Sequence, residues 1–268
     1  MSEATGFAEF DGWRVAYEVR GHGDGSIVFV HGGASNRSVW RAQMEGVDLG
    51  RRLVAVDLIG HGQSDKPHAA YTMGLLARSV AAVMDDLGIE RAVLVGHSNG
   101  VPVVRQFSRL YPDRIEALVT VDGPLRRALS KEKAEWMRAV LDSPDYEQFM
   151  KMLVEQTPMA GLSAEDLARV QEATLSTPKH VMAGGLDALM DPAIWTEDEI
   201  GVPVLVLLSR GPSSQLWTDD YEGFVRRIAP RVEYYVWTDV SHFLTLEQPE
   251  RFNALIEAFV ARVDAGDF

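Results

Sequence analysis

A short apolar run near the middle of the chain stops at Gly96-His97-Ser98-Asn99-Gly100, and a helical pattern of apolar residues follows directly. This order predicts a strand, a very tight turn and a helix, with Ser98 at the tip of the turn. Such a turn strains the serine backbone and crowds the strand against the helix, and glycines at 96 and 100 relieve the crowding. The Ser98 hydroxyl should therefore stand at the end of a sheet, beside the positive end of a helix, where it can attack a carbonyl carbon.

Strand-like and helix-like patterns alternate through most of the chain. The first 25 residues predict two antiparallel strands. Continuous apolar runs, which are typical of buried parallel strands, lie at residues 26–30, 53–56, 93–95, 115–121, 202–208 and 232–236. Amphipathic helical patterns separate most of these runs. We therefore predict an α/β fold, with a mostly parallel sheet covered by helices on both faces.

The alternation stops between about residues 124 and 200, where no strand-like run occurs and several amphipathic helices are expected. Within this stretch, Ser163 and Asp166 match a capping box. We predict a core domain made of residues 1–123 and 201–268, with a helical lid at 124–200 inserted after the sixth strand. Six of the ten methionines fall in the insertion, where they would pack its helices on the sheet or line an adaptable apolar pocket.

Composition limits the partners and the location that we expect. The formal net charge of -13 repels the phosphates of nucleic acids and anionic lipids, so we expect neither as a partner. The chain has no cysteine, which excludes disulfides, thiolate zinc sites and a cysteine nucleophile, and which fits a reducing cytoplasm. Its first residues lack the basic and apolar segments of a signal peptide, and no apolar run approaches a membrane span. We therefore predict a cytoplasmic location.

Four motifs occur in a fixed order along the chain. They are His31-Gly32-Gly33 after the third strand, residues 57–65 after the fourth, the Ser98 turn, and His242 within residues 241–250. In this combination the chain resembles the α/β-hydrolase superfamily, and within it the lidded esterases, lactonases, dehalogenases and epoxide hydrolases. The resemblance implies an eight-stranded sheet and a triad of serine, histidine and an acid, with no cofactor. It assigns Asp57, His61 and Asp65 to loop structure, so we expect no metal site.

His242 is the predicted base. An alcohol ionises too poorly at neutral pH to attack a carbonyl unaided, and a neutral imidazole can take its proton. His242 follows the last strand, where a loop can bring its ring over Ser98. The alternative is a histidine that merely packs near the surface.

The position of the acid departs from the commonest pattern of the superfamily, which places an aspartate in the loop after the strand that follows the lid. Here that loop, residues 209–215, has no carboxylate. Asp122, at the end of the strand before the lid, is our first candidate, an arrangement that resembles haloalkane dehalogenases and some lipases. Asp219 and Asp220 are the alternative, although their surroundings favour a helix start with capping aspartates. A site without a functional acid is the third possibility.

Two backbone N–H groups should form the oxyanion hole, which stabilises negative charge on the substrate oxygen. One belongs to Asn99, directly after the nucleophile. The other is expected from Gly33, with Ala34 as the alternative.

These features predict a serine hydrolase that cleaves a small carboxylic ester or lactone through Ser98, His242 and Asp122. Related machinery also performs C–C bond or amide hydrolysis, acyl transfer and cofactor-free lyase chemistry. Dehalogenases and epoxide hydrolases carry aspartate at the turn, so Ser98 disfavours their reactions. A non-catalytic ligand-binding protein on the same scaffold is the alternative from another class. The acyl group, the alcohol and the oligomeric state stay open.

Overall fold

An eight-stranded sheet organises the protein in a computed structural model that describes residues 3–156, 161–210 and 220–268. The strands are β1 (Glu3–Phe10), β2 (Trp13–Arg20), β3 (Ser26–Val30), β4 (Arg52–Val56), β5 (Ala92–His97), β6 (Ile115–Val121), β7 (Val204–Ser209) and β8 (Val232–Trp237). Their spatial order is β1-β2-β4-β3-β5-β6-β7-β8. β2 runs antiparallel to both of its neighbours, and all pairs from β4 to β8 are parallel. The sheet is thus mostly parallel, as predicted.

The antiparallel start of the sheet has a local cause. Asp11 and Gly12 join β1 to β2, and both have positive φ angles, of 50° and 81°. Aspartate followed by glycine is the pair that a two-residue hairpin turn of this kind favours.

The helices described by the structure are α1 (Arg41–Gly46), α2 (Met73–Asp86), α3 (Gly100–Leu110), α4 (Lys131–Asp142), α5 (Tyr146–Gln156), α6 (Ala164–Ser176), α7 (Lys179–Met190), α8 (Tyr221–Ile228), α9 (Leu244–Glu247) and α10 (Pro249–Ala265). Short 3₁₀ helices lie at Arg37–Trp40, Pro112–Arg114 and Pro192–Ile194. Within these described ranges, no helix is long and apolar enough to cross a membrane.

Helices cover both faces of the sheet. In β3, Val28 and Val30 lie in the core that α2, α3 and α8 complete, whereas Ile27 and Phe29 lie in the core that α1 and α10 complete. Successive strand residues point to opposite faces, and all four of these side chains are fully buried. Burial on both faces explains why the parallel strands are apolar throughout, and it confirms the predicted fold class.

Helices α4 to α7 all lie in the chain between β6 and β7. The predicted cap of α6 is present, because the Ser163 hydroxyl accepts a hydrogen bond of 3.1 Å from the Asp166 N–H. From α7, Val181 and Ala188 join the core on the α2 and α3 side of the sheet. The division into a core domain and a lid remains a prediction.

Candidate active site

The turn that carries Ser98 joins β5 to α3 at the centre of the sheet. Ser98 has a φ of 52°, in the left-handed region that strains any residue with a side chain. A Cβ atom at Gly96 would lie 2.6 Å from the Gly100 carbonyl oxygen, and one at Gly100 would lie 2.5 Å from the Val30 carbonyl oxygen. Both glycines are therefore required, because neither backbone neighbour can move aside as a flexible side chain would.

His242 and Asp122 meet beside this turn. The Nδ1 atom of His242 lies 2.7 Å from Oδ2 of Asp122, although the two residues are 120 positions apart. The side chain of Asp122 is 5% exposed and that of His242 is 37% exposed, so substrate and water can reach the imidazole but not the carboxylate. A carboxylate at Nδ1 holds the ring proton there and leaves Nε2 of the neutral ring as the proton acceptor.

The charge of Asp122 is stabilised within the protein interior. Burial raises the pKa of the Asp122 carboxyl, but hydrogen bonds from His242 and from the Ser209 N–H outweigh burial, and the net shift is downward. Ser209 donates twice, from its N–H to Oδ1 at 2.8 Å and from its hydroxyl to Oδ2 at 3.0 Å. Asp122 is therefore ionised at neutral pH, as an orienting carboxylate must be.

Sequence reasoning did not identify Ser209 as part of the site. Ser209 is the last residue of β7, the strand after which the superfamily commonly places its acid. Because β6 and β7 are parallel neighbours, their carboxyl ends lie side by side, and Ser209 contacts the carboxylate that ends β6. The sequence feature that could have identified Ser209 is a hydroxyl side chain at the end of β7, the strand that pairs with β6.

His97 holds the loop that carries His242. Its Nε2–H donates to the His242 carbonyl oxygen at 2.8 Å, and the two imidazole rings lie 4.6 Å apart. Burial lowers the pKa of His97, and the adjacent His242 ring acts in the same direction. The neutral His97 thereby connects the Ser98 turn to the His242 loop, because His97 directly precedes Ser98.

The alternative acids are placed differently. Asp220 lies at the start of α8 with its side chain 78% exposed, and its carboxylate forms a 3.1 Å ion pair with Arg126. Asp219 lies outside the described residues. Of the acids that the structure describes, it brings Asp122 to His242, and the catalytic role of this pair remains a proposal.

The predicted oxyanion-hole residues lie together. A Cβ atom at Gly32 would lie 2.9 Å from the Ser98 Cβ, and one at Gly33 would lie 2.7 Å from the side-chain nitrogen Nδ2 of Asn99. Ala34 has a φ of 50°, and its carbonyl oxygen accepts a hydrogen bond of 3.1 Å from the Thr174 hydroxyl of α6. The loop after β3 thus packs directly against the Ser98 turn, as an oxyanion hole would require.

Backbone strain is concentrated at this site. Four non-glycine residues have positive φ angles in the described part of the chain, and three of them are Ala34, Ser98 and Asp122, at 50°, 52° and 42°. Residues held in such conformations cluster at functional sites, where surrounding structure keeps the strain.

The acidic loop after β4 is occupied by internal contacts. Asp57 pairs with Arg37 and accepts a 2.9 Å hydrogen bond from the Gln63 N–H, and Asp65 accepts one of 2.8 Å from the Arg14 N–H. Within the described ranges, no three residues among His, Cys, Asp and Glu are grouped so that they could hold a metal ion.

A cavity of about 160 Å³ lies next to the Ser98 turn. Residues 32–34 and Asn99 line it, together with residues of α7. His242 and Asp122 are not among the residues that line it.

Solved structures of hydrolases resemble this chain over nearly its whole length. Est816, an N-acyl homoserine lactone degrading enzyme, is 28% identical with a TM-score of 0.74, and the match covers 95% of this chain and 100% of that one. A thermophilic esterase from Thermogutta terrifontis is 25% identical with a TM-score of 0.80, covering 98% and 99%. An epoxide hydrolase and a haloalkane dehalogenase share the fold too, so the fold alone does not identify the bond that is cleaved.

Curated relatives match over part of their length. Protein ABHD8 of Bos taurus is 28% identical over 243 residues, which is 87% of this chain and 55% of that protein. The chain thus spans about half the length of this relative, and about a third of others that it matches. A family profile described as the alpha/beta hydrolase fold matches residues 25–266. The chain belongs to the α/β-hydrolase family.

Proposed function

We propose that the protein is a serine hydrolase that cleaves small carboxylic esters or lactones. The observation that carries this proposal is the 2.7 Å contact between His242 and an ionised, buried Asp122. The loop that carries His242 is hydrogen-bonded to His97, in the turn that presents Ser98. This base is oriented by a carboxylate, and its loop is hydrogen-bonded to the residue before a strained serine. Both features fit the arrangement that activates a hydroxyl nucleophile.

The reaction would proceed in two halves. The Ser98 Oγ attacks the carbonyl carbon, its proton passes to Nε2 of His242, and the N–H groups of Asn99 and Gly33 hold the developing oxyanion. When the carbon–oxygen bond of the ester breaks, the leaving alkoxide takes the proton from His242. Water then gives a proton to His242 and attacks the acyl carbon. As the bond from that carbon to the Ser98 Oγ breaks, His242 returns the proton to Oγ, which releases the acid and restores the serine.

The nucleophile favours carbonyl substrates over alkyl halides and epoxides. Related dehalogenases and epoxide hydrolases form an ester with an aspartate at the turn, and Ser98 cannot form that intermediate. The resemblance to an esterase and to a lactone-degrading enzyme, at 25% and 28% identity, supports an ester or lactone as the substrate.

Two measurements on the purified protein test the proposal. A fluorophosphonate probe should label Ser98, as located by peptide mass spectrometry, and p-nitrophenyl esters and simple lactones should be hydrolysed. Ser98→Ala should lose both labelling and turnover. Labelling or binding without turnover would instead favour a ligand-binding protein on a hydrolase scaffold.

A further inference from the structure

The cavity beside Asn99 is placed to hold one particular part of the substrate. In the tetrahedral intermediate the reacting carbon carries the Ser98 oxygen, the oxyanion, the alcohol oxygen and the acyl group. The alcohol must face His242, because His242 gives it a proton as it leaves. The cavity is lined by residues 32–34 and by Asn99, which directly follows Ser98, whereas neither Ser98 nor His242 lines it. It therefore adjoins the proposed oxyanion hole away from His242, where it is available to the acyl group.

The walls of the cavity are apolar and carry no net charge. Most lining side chains are aliphatic or thioether groups, among them Leu58, Met73, Leu76, Met182, Leu186 and Leu189. In the described part of the chain, no Asp, Glu, Lys or Arg lines it. His61 is neutral there because burial lowers its pKa to about 3, and the Tyr71 hydroxyl already donates to the Pro67 carbonyl oxygen. A charged acyl group would lose its hydration without gaining an oppositely charged partner.

The size of the cavity limits the acyl group. Its volume of about 160 Å³ is close to that of an engineered apolar cavity of about 150 Å³ that binds benzene. It therefore has room for roughly six carbon atoms, well below what pockets for larger ligands offer.

Two adjacent glycines of α7 have different roles at the cavity. A Cβ atom at Gly184 would lie 2.8 Å from the Tyr71 side chain, so Gly184 lets α7 pack closely on the core. Gly185 lines the cavity, and a Cβ atom there would meet no other atom within 4 Å. A side chain at position 185 therefore has space to enter the cavity without displacing the helix.

We propose that this cavity is the acyl site of the enzyme, that it selects uncharged apolar acyl groups of up to about six carbons, and that Gly185 sets their length. This inference rests on the proposed serine hydrolase function. It assigns a specificity-determining role to a helix between β6 and β7, since residues of α7 line the cavity together with residues 32–34.

The test compares two series of esters. In the acyl series, p-nitrophenyl acetate, butanoate, hexanoate and decanoate, kcat/KM should rise by at least about tenfold and at most about 250-fold from acetate to hexanoate, since each of the four added methylenes contributes up to about fourfold when buried. It should fall again at decanoate. Gly185→Leu should lower the hexanoate-to-acetate ratio about tenfold or more, and Gly185→Ala should lower it less.

The control series varies the alcohol. For methyl, butyl and hexyl acetate, Gly185→Leu should change the hexyl-to-methyl ratio by less than about threefold, because the alcohol lies on the His242 side. Gly201→Leu is the matched variant, since Gly201 is exposed, has no atom within 4 Å of an added Cβ, and precedes β7 at the opposite end of the sheet. It should leave both ratios as they are in the wild type.

The outcomes separate this inference from the proposed function. Ser98-dependent hydrolysis with an acyl ratio that Gly185→Leu and Gly185→Ala leave unchanged would overturn the acyl site alone. A shift confined to the alcohol series would assign the cavity to the alcohol instead. Absence of Ser98-dependent hydrolysis in the wild type would overturn the proposed function, and the acyl site with it.

Discussion

The carboxylate of Asp122 shows how single residues decide the chemistry of this site. The superfamily commonly keeps its acid in the loop after the strand that corresponds to β7. In this protein β7 ends in Ser209, and Asp122 follows the neighbouring strand β6. The hydroxyl and N–H of Ser209 hold Asp122 in place and ionised, and Asp122 in turn orients His242. In the proposed triad the carboxylate lies one strand away from its usual position in the superfamily, and a hydrogen-bond donor stands at that usual position.

Replacing Asp122 with asparagine tests this assignment. Asp122→Asn should lower kcat/KM for p-nitrophenyl butanoate by roughly 10³–10⁴-fold, because an amide favours the wrong tautomer of His242 and does not stabilise the imidazolium. Steady-state kinetics of Asp122→Asn and Asp220→Asn measures the two losses. Asp220→Asn is the comparison, since it removes an exposed carboxylate paired with Arg126. A loss below tenfold for Asp122→Asn, with a large loss for Asp220→Asn or Asp219→Asn, would reverse the assignment.

The element that presents Ser98 depends on close contact between backbone segments. β5 lies between β3 and β6, and α3 begins so close to β3 that Gly100 has no room for a side chain. α7 behaves differently, because its Gly185 faces open space. The cost of adding one methyl group should therefore differ sharply between these two helices.

Gly100→Ala should lower the free energy of unfolding by about 3 kcal/mol, because its Cβ would overlap the carbonyl oxygens of Val30 and His31. Gly185→Ala adds the same atom without a clash and should raise the free energy of unfolding by about 0.5–1 kcal/mol, since alanine loses less backbone entropy in a helix. Urea unfolding followed by circular dichroism measures both. Equal effects at the two positions would show that backbone contact does not limit the turn.

Across the whole molecule, three buried histidines are kept neutral. Burial lowers the pKa of His31 to about 4 and that of His61 to about 3, and it lowers the pKa of His97 as well. The hydrogen bonds of His31 agree with a neutral ring, because Nδ1 donates to the Gly32 carbonyl oxygen and Nε2 accepts from the Leu58 N–H. All three rings lie around the candidate site, so its packing depends on their remaining uncharged.

Stability should therefore depend on pH in the range where unfolded histidine titrates. In the unfolded chain these three histidines bind protons below about pH 6.5, and in the folded chain they do so only at a much lower pH. The free energy of unfolding therefore decreases as the pH falls. Between about pH 7 and about pH 5.5 the free energy of unfolding should decrease by about 1 kcal/mol for each buried histidine, or roughly 3 kcal/mol in all.

Urea unfolding at the two pH values measures this loss. His61→Gln should reduce the loss by about a third, because one of the three protonation sites is gone. His22→Gln, which replaces an exposed histidine, should leave the loss as in the wild type. Equal stability at both pH values would contradict neutral burial of these rings.

Much of this protein follows from local pattern. The apolar runs placed the parallel strands, the pair Asp11-Gly12 accounts for the hairpin, and the glycines around Ser98 predicted a turn that the structure reproduces. The two turns depend on residues that are adjacent in the chain, and the strands depend on burial of both sheet faces. Adjacent residues and apolar runs can both be read from the sequence. The helix start expected around Asp219 and Asp220 is described only from Asp220, because residues 211–219 lie outside the described part of the chain.

The sequence by itself determined the fold, the Ser98 turn and the two candidate positions for the acid. Only the tertiary structure decided which described carboxylate meets His242, that Ser209 fastens it, and that Gly185 faces a cavity. The physical reason is the distance along the chain. Asp122 and Ser209 are 87 positions apart, and they touch because β6 and β7 pair in parallel with one particular register. No local pattern encodes that register, since it is set by how all eight strands pack together.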